Sequence, residues 1–378
     1  MRIGFDAKRA YHNNTGLGNY SRSLIMALSA HYPNHEYHLF NPKKNVRDDL
    51  QAPNIYQVNP ESFSSRLLPS IWRSKWMIQD IEQRTDLYHG LSHELPYGIH
   101  LSNIKTLVTM HDLIFEHYPD HYNLSDRMVY RNKFRYAART AHRVIAISEA
   151  TRKDLIKYYD IPSDKIHIVP PSIDDRFYQE QGLAPAILQK RYGITKPYFI
   201  SVGSIIERKN LLRVVEAFHS LLQQFECQLV IIGKGGNAYA DQVNAYIKSN
   251  HLEPFIIFPE QQQNREEVSR DLPALYQSSL ALVYPSVMEG FGLPVVEAMA
   301  SGTVAITSNG SSLLEAGGEA ALLVDPLQTA SIYSAMESLV DNPFLREQRI
   351  LLGHQQASKF TQIKMADAMM KHYQDLYP

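Results

Sequence analysis

Short apolar, β-branched runs recur along the whole of this 378-residue chain, separated by longer stretches of helical periodicity, and nothing else in it restricts the fold as much. Runs that are apolar on successive residues suit strands buried on both faces, which means parallel sheets covered by helices. In the first half they fall at 3–7, 37–40, 55–58, 87–89, 106–110, 143–147 and 166–169. In the second they fall at 198–202, 228–232, 255–258, 280–284, 304–307 and 321–324, with helical patterns such as 211–222 and 328–340 between them. Between the two series, Pro170-Pro171-Ser172-Ile173-Asp174-Asp175 opens a stretch without clear periodicity to about residue 197, which reads as a linker. The expected architecture is α/β, with two Rossmann-like domains facing each other across a cleft. Residues 1–175 form the first, a helix at about 360–378 packing back on it, and residues 176–359 form the second. The length agrees, being too great for one ordinary core.

In such sheets ligands sit beyond the carboxyl ends of the strands, so residues that follow strands are the candidates. The run at 280–284 leads into Pro285-Ser286-Val287-Met288-Glu289-Gly290-Phe291-Gly292-Leu293-Pro294-Val295-Val296-Glu297. Pro294 suits the first turn of a helix, and Gly290 and Gly292 free the backbone just before it. Unpaired N–H groups there, with the helix dipole behind them, suit a diphosphate. Glu289 and Glu297 bracket the turn. A carboxylate beside a phosphate is repelled, so each is expected to meet the hydroxyls of a sugar or ribose. After the run at 198–202 come Gly203 and then Arg208-Lys209-Asn210, a cationic pair suited to clamping a diphosphate and neutralising it as it leaves.

Glu289 and Glu297, with seven residues between them around Gly-Phe-Gly-Leu-Pro, resemble the E-x7-E motif of glycosyltransferase family 4, also called group 1. That family has the GT-B fold and transfers sugars with retention of configuration. Val202-Gly203-Ser204-Ile205-Ile206-Glu207-Arg208-Lys209-Asn210 is similar to its strand–loop ending in Arg-Lys-Asn. Met110-His111-Asp112 resembles its His-Asp segment, and Thr15-Gly16-Leu17-Gly18-Asn19 its glycine loop. The resemblance implies that Glu289 contacts the donor sugar and Glu297 the ribose. It also implies that His111 lies near the reacting bond and that Gly16 and Gly18 approach the diphosphate. On this reading His111, Glu289, Arg208 and Lys209 are catalytic. Gly16, Gly18, Gly203, Arg208, Lys209, Glu289, Gly290, Phe291, Gly292, Leu293 and Glu297 bind the donor. Ser311-Ser312-Leu313 before Glu315 resembles the mannosyltransferase-like members, which implies GDP-mannose as donor and a growing cell-surface or lipid-linked glycan as acceptor. Pro259-Glu260-Gln261-Gln262 departs from the family, whose members usually have a Gly-aromatic pair there to help hold the base. UDP and ADP donors therefore stay open.

No Asp-x-Asp pair and no clustered Cys/His spacing is present to hold a metal, so the expectation is metal-independent transfer without a cofactor. A nicotinamide dehydrogenase needs Gly-x-Gly-x-x-Gly straight after a strand. Here Gly16-x-Gly18 lies well beyond the first strand, with Ser21 in the third place. The third reading is a nucleotide-sugar-binding protein without catalysis. A formal net charge of -1 argues against nucleic acid as a partner. The single cysteine, Cys227, allows no intrachain disulfide. Met1-Arg2-Ile3-Gly4-Phe5-Asp6 does not read as a signal peptide, no run is long enough to span a bilayer, and a cytoplasmic protein is expected. Arg127, Arg131, Arg135, Arg139 and Arg143 recur every four residues, a stripe suited either to solvent or to peripheral contact with an anionic inner-membrane face.

Overall fold

The computed structural model describes every residue except Gln181, and every side chain except those of Gln181 and His121. It divides into two compact units, Met1–Ser172 with Thr361–Pro378, and Ile173–Phe360.

The first unit is built on a seven-stranded parallel sheet in the order β3-β2-β1-β4-β5-β6-β7. Its strands are β1 (Arg2–Asp6), β2 (Glu36–Phe40), β3 (Ile55–Val58), β4 (Leu87–Gly90), β5 (Lys105–Met110), β6 (Arg143–Ala146) and β7 (Ile166–Ile168). β4 is buried at every residue and β5 at all but its first, as expected of strands covered on both faces. The Gly16–His31 helix packs on the sheet through Tyr20, Leu24, Ile25 and Leu28. Beside it lies the Gln362–Leu376 helix, with Met365, Met369 and Tyr373 buried at four-residue intervals. Its Tyr373 hydroxyl lies 2.7 Å from His89 Nδ1, and His89 Nε2 lies 2.9 Å from Thr109 Oγ1. A buried polar chain thereby ties the last helix to β4 and β5, and every member has a partner.

The second unit holds a six-stranded parallel sheet in the order β10-β9-β8-β11-β12-β13. Its strands are β8 (Tyr198–Val202), β9 (Gln228–Ile232), β10 (Ile256–Ile257), β11 (Ala281–Tyr284), β12 (Val304–Ser308) and β13 (Leu322–Val324). Chain order reverses between β8 and β11, and the loops leaving two such strands part to leave a crevice. The expected segments Arg208-Lys209 and Glu289 both follow these two strands.

Three expectations are corrected. The run at 255–258 yields only two strand residues, because Pro259 starts a short helix, Pro259–Gln262, with Phe258 as its N-cap. Residues read as an aperiodic linker contain the helix Pro185–Tyr192, held by Leu188 and Tyr192 four apart; Gln181 in that stretch lies outside the described residues. The arginine stripe is broken, since the Leu124–Thr140 helix stops at an extended Ala141 and Arg143 begins β6.

Candidate active site

In the second unit the loops after β8 and β11 converge on Glu289. Its Oε2 lies 2.9 Å from Arg208 Nη1 and its Oε1 3.3 Å from Lys209 Nζ. The Tyr284 hydroxyl donates to Glu289 Oε1 at 2.8 Å and accepts from Lys209 Nζ at 2.6 Å. All three charged side chains are largely buried. Burial alone would raise the Glu289 carboxyl, but the charges of Lys209 and Arg208, with hydrogen bonds from Arg208 and Tyr284, outweigh it and hold it below its ordinary value. The same balance keeps Lys209 charged: burial pulls its ammonium down, while Tyr284 and Glu289 raise it further. Burial, and then the Glu289 charge, push Tyr284 up to about 12.

Local backbone geometry explains why these residue types stand here. Gly203 has φ +137, and a Cβ there would meet Lys209 Nζ at 2.8 Å, so glycine lets the lysine fold back over the end of β8. Asn210 takes the left-handed conformation, φ 62, which asparagine tolerates better than most side chains. Its amide donates to the carbonyls of Pro285 at 3.1 Å and Pro326 at 2.5 Å, pinning the loops after β11 and β13 to the one that carries Arg208. Gly292 has φ +109 and caps the Leu293–Ala300 helix, with Pro294 in its first turn. Gly290 is half-buried in the loop, and Leu293 opens the helix. The Phe291 side chain packs against Phe360, with ring centroids 5.2 Å apart, so its contribution to a ligand would come from the backbone. Ser312 Oγ donates to the Glu289 carbonyl at 2.7 Å, which gives the Ser-Ser-Leu segment a structural task.

Glu297 stands apart from this cluster. Burial drives its carboxyl up to about 7, against the lowering pull of Arg176 and a hydrogen bond from Tyr276 at 3.4 Å. Beyond the carboxyl ends of β8, β9 and β10 is a cavity of about 370 Å³ lined by Ile205, Gly233, Lys234, Gly235, Phe258 and Glu260 among others. Gly233 lets two loops touch: a Cβ there would fall 1.8 Å from the Gly203 carbonyl oxygen. Glu260 Oε2 is buried with no hydrogen-bond partner among the described residues, and Oε1 lies 3.7 Å from Arg265 Nε.

His111 belongs to the first unit, directly after β5. It is buried, and its Nε2–H donates to the Leu91 carbonyl at 2.8 Å, which fixes the tautomer and leaves Nδ1 as the acceptor. Burial lowers it to about 4, the Arg9 charge adding to the effect and the Leu91 bond opposing it, so the ring is neutral at pH 7. Its backbone N–H donates to His93 Nε2 at 2.8 Å, and Tyr20 meets its ring edge-on at 4.6 Å. In the glycine loop the two glycines differ. A Cβ on Gly18 would lie 1.8 Å from the Asn13 carbonyl oxygen, whereas Gly16 has open space around it. Asn13 Oδ1 accepts from Thr15 N at 2.8 Å and Gly18 N at 3.3 Å, so part of this helix start is already capped.

Tyr284 and Asn210 were not singled out in the sequence. A tyrosine closing an apolar strand reads as core. Asn210 stood in a quoted motif, but its partners lie 75 and 116 residues away.

The profile of the family described as Glycosyl transferases group 1 matches residues 187–353, and that of Glycosyltransferase Family 4 matches residues 14–177. O-antigen chain mannosyltransferase B of Escherichia coli is 26% identical over 383 residues, 96% of each chain. O-antigen chain mannosyltransferase RfbU of Salmonella typhimurium is 28% identical over 304 residues, covering 78% of this chain and 77% of its own. Among solved structures, sucrose-phosphate synthase of Thermosynechococcus elongatus aligns with a TM-score of 0.76 at 19% identity, covering 100% of this chain and 99% of its own. The Anabaena protein HepE, solved with UDP-glucose, aligns with a TM-score of 0.76 at 14% identity, covering 99% and 100%. These alignments share two parallel-sheet α/β domains, the GT-B fold.

Proposed function

We propose that this chain, which belongs to the group 1 (family 4) glycosyltransferases, transfers mannose from GDP-mannose, with retention, to a growing cell-surface or lipid-linked glycan. The observation that carries the reading is the buried cluster of Arg208, Lys209, Tyr284 and Glu289 at the reversal of strand order. In the free protein the two cations neutralise Glu289. A bound diphosphate would bring its own negative charge to Arg208 and Lys209 and free the carboxylate to accept from sugar hydroxyls. As the glycosidic bond to phosphate stretches, negative charge grows on the diphosphate. Cations held in place beforehand stabilise that charge at no cost of reorganisation. With two cations supplied by the chain, the reaction needs no metal. The sugar accepts the incoming hydroxyl on the face its leaving group departs from, and a phosphate oxygen takes the proton. Neutral His111 Nδ1 is suited to accept a hydrogen bond from a sugar hydroxyl, and the first unit supplies the acceptor side.

Mannose is supported by the relatives, two of which are named as O-antigen mannosyltransferases. Guanine is supported by Glu260. Adjacent N1–H and 2-amino donors on guanine match a carboxylate with an unpaired oxygen, whereas uracil offers one N–H flanked by carbonyls that repel it.

The test is a panel of GDP-, UDP- and ADP-sugars read by thermal shift, slow donor hydrolysis and the anomeric configuration of the product. GDP-mannose should stabilise the protein by roughly 2.7 kcal/mol at 100 times its Kd, hydrolyse slowly, and give an α-linked product in the presence of EDTA. Glu260→Gln should weaken GDP-mannose binding about tenfold, the loss of one charged hydrogen bond. Stabilisation by UDP- or ADP-sugars alone would overturn the donor, a β-linked product would overturn retention, and dependence on added magnesium would overturn metal independence.

A further inference from the structure

Single exposed apolar residues are ordinary on a protein surface, but a run of them on one anchored segment is not. Phe63, Leu67, Leu68, Ile71 and Trp76 are all exposed, Phe63 to 80%. They lie on consecutive turns, Phe63–Leu67, Pro69–Ile71 and Trp72–Trp76. The base of this segment is fixed. Trp72 is buried, its indole N–H donating to Asp80 at 2.9 Å, and Arg73 pairs with Asp6 and Glu94. The apolar side chains are therefore held outward on a rigid support.

A second element continues the surface. The Leu124–Thr140 helix buries Phe134, Ala137 and Ala138 in its later turns, while Leu124, Met128 and Val129 in its first two turns are exposed. Leu124, Arg127, Met128, Arg131 and Arg135 recur at intervals of three and four, so apolar and basic side chains share one face. The two elements meet at Tyr97, itself exposed. Its N–H donates to the Ser74 carbonyl at 2.7 Å, and its ring lies 4.6 Å from that of Tyr136 on the helix.

The charge of this surface selects its partner. From Ser62 to Gln79 there is no acidic residue, while Arg66 and Lys75 project among the apolar side chains. Of the five-arginine repeat, Arg131 is engaged by Glu116, Arg135 and Arg139 by Asp160, and Arg143 by Asp375. The exposed cations Arg66 and Lys75 are thus interleaved with the exposed apolar groups, whereas Arg127 is half-buried with its Nε shielded from solvent. We propose that these two elements dock the first unit on an anionic lipid bilayer. Phe63, Leu67, Ile71, Trp76 and Met128 enter the headgroup–acyl boundary, and Arg66 and Lys75 meet lipid phosphates. The inference goes beyond the sugar-transfer reading and does not depend on it.

The experiment uses the full chain and vesicles free of any glycan acceptor, either phosphatidylcholine alone or with phosphatidylglycerol. Binding is followed by co-sedimentation and by tryptophan emission. The protein should bind the anionic vesicles at least about tenfold better, release as salt rises, and show a blue shift that Trp76→Phe abolishes. Leu67→Ser with Ile71→Ser should cut binding by at least about tenfold with an unchanged melting temperature, since both residues are exposed. Phe344→Ser, which alters an exposed apolar side chain of the second unit, should leave it intact. Equal binding to neutral vesicles, or binding unchanged in the double variant, would overturn the proposal. So would a concentration-dependent dimer that the same double variant breaks while vesicle binding persists.

Discussion

Glu289 is a carboxylate whose charge survives burial only because of its neighbours. Arg208→Ala with Lys209→Ala would leave it buried and uncompensated and would also strip the diphosphate of its counter-charges. Turnover at saturating donor should fall at least about 100-fold, the scale of losing a preorganised transition-state donor. Near wild-type turnover in the double variant would contradict the assignment. Glu297 makes the opposite case, since burial raises it from 4.5 to about 7. Below pH 4.5 both folded and unfolded chains hold its proton, and it contributes nothing. Between the two values the folded state keeps a proton that the unfolded chain has released, so stability falls as pH rises, and the full cost is present above about pH 7. Glu297→Gln should therefore raise the melting temperature at pH 8 by a few degrees, roughly what one or two kcal/mol gives, and by much less at pH 5. Equal shifts at the two pH values would refute this. Donor affinity should strengthen from pH 6 to pH 8 in the wild type, because only the ionised carboxylate accepts from two hydroxyls, and the pH dependence should vanish in the variant.

At the scale of elements, the second unit shows what periodicity reveals and what it hides. β8, β9, β11 and β12 were legible because parallel strands buried on both faces leave apolar runs that survive without context. Glu289 and Arg208 were legible because charges placed directly after such runs have few structural explanations. Tyr284 was hidden because its role depends on two charges that only the fold brings to it. Phe258-Pro259 was misread because the apolar run continues up to the proline that ends it. Asn210 combines both lessons, and it supports a test of how three loops are held together. Asn210→Ala loses both carbonyl partners and places a Cβ-bearing residue without a polar side chain in the left-handed region. Asn210→Gly loses only the partners. Both should lower stability in urea, the alanine variant by about 1 kcal/mol more than the glycine variant. Identical midpoints would show that the backbone conformation carries no cost.

At the scale of the whole molecule, the last helix belongs to the unit that the first residues begin. Tyr373→Phe would leave His89 Nδ1 without its buried partner and should cost about 1–3 kcal/mol, seen as a lower unfolding midpoint. An unchanged midpoint would mean that the network contributes nothing to the unit. The same helix has a consequence for how the protein is made. Its contacts with Tyr32 and His89 span 335 and 284 residues, across the entire second unit. A ribosome releases the first sheet long before the side chains that cover it. Until residues 362–376 emerge, Phe5 and His89 lack the Tyr373 face of their core, and the nascent chain must be protected or must wait. Translation that stops after the second unit would thus yield a folded back half joined to an unfinished front half, and degradation or chaperone capture would sort such chains from complete ones.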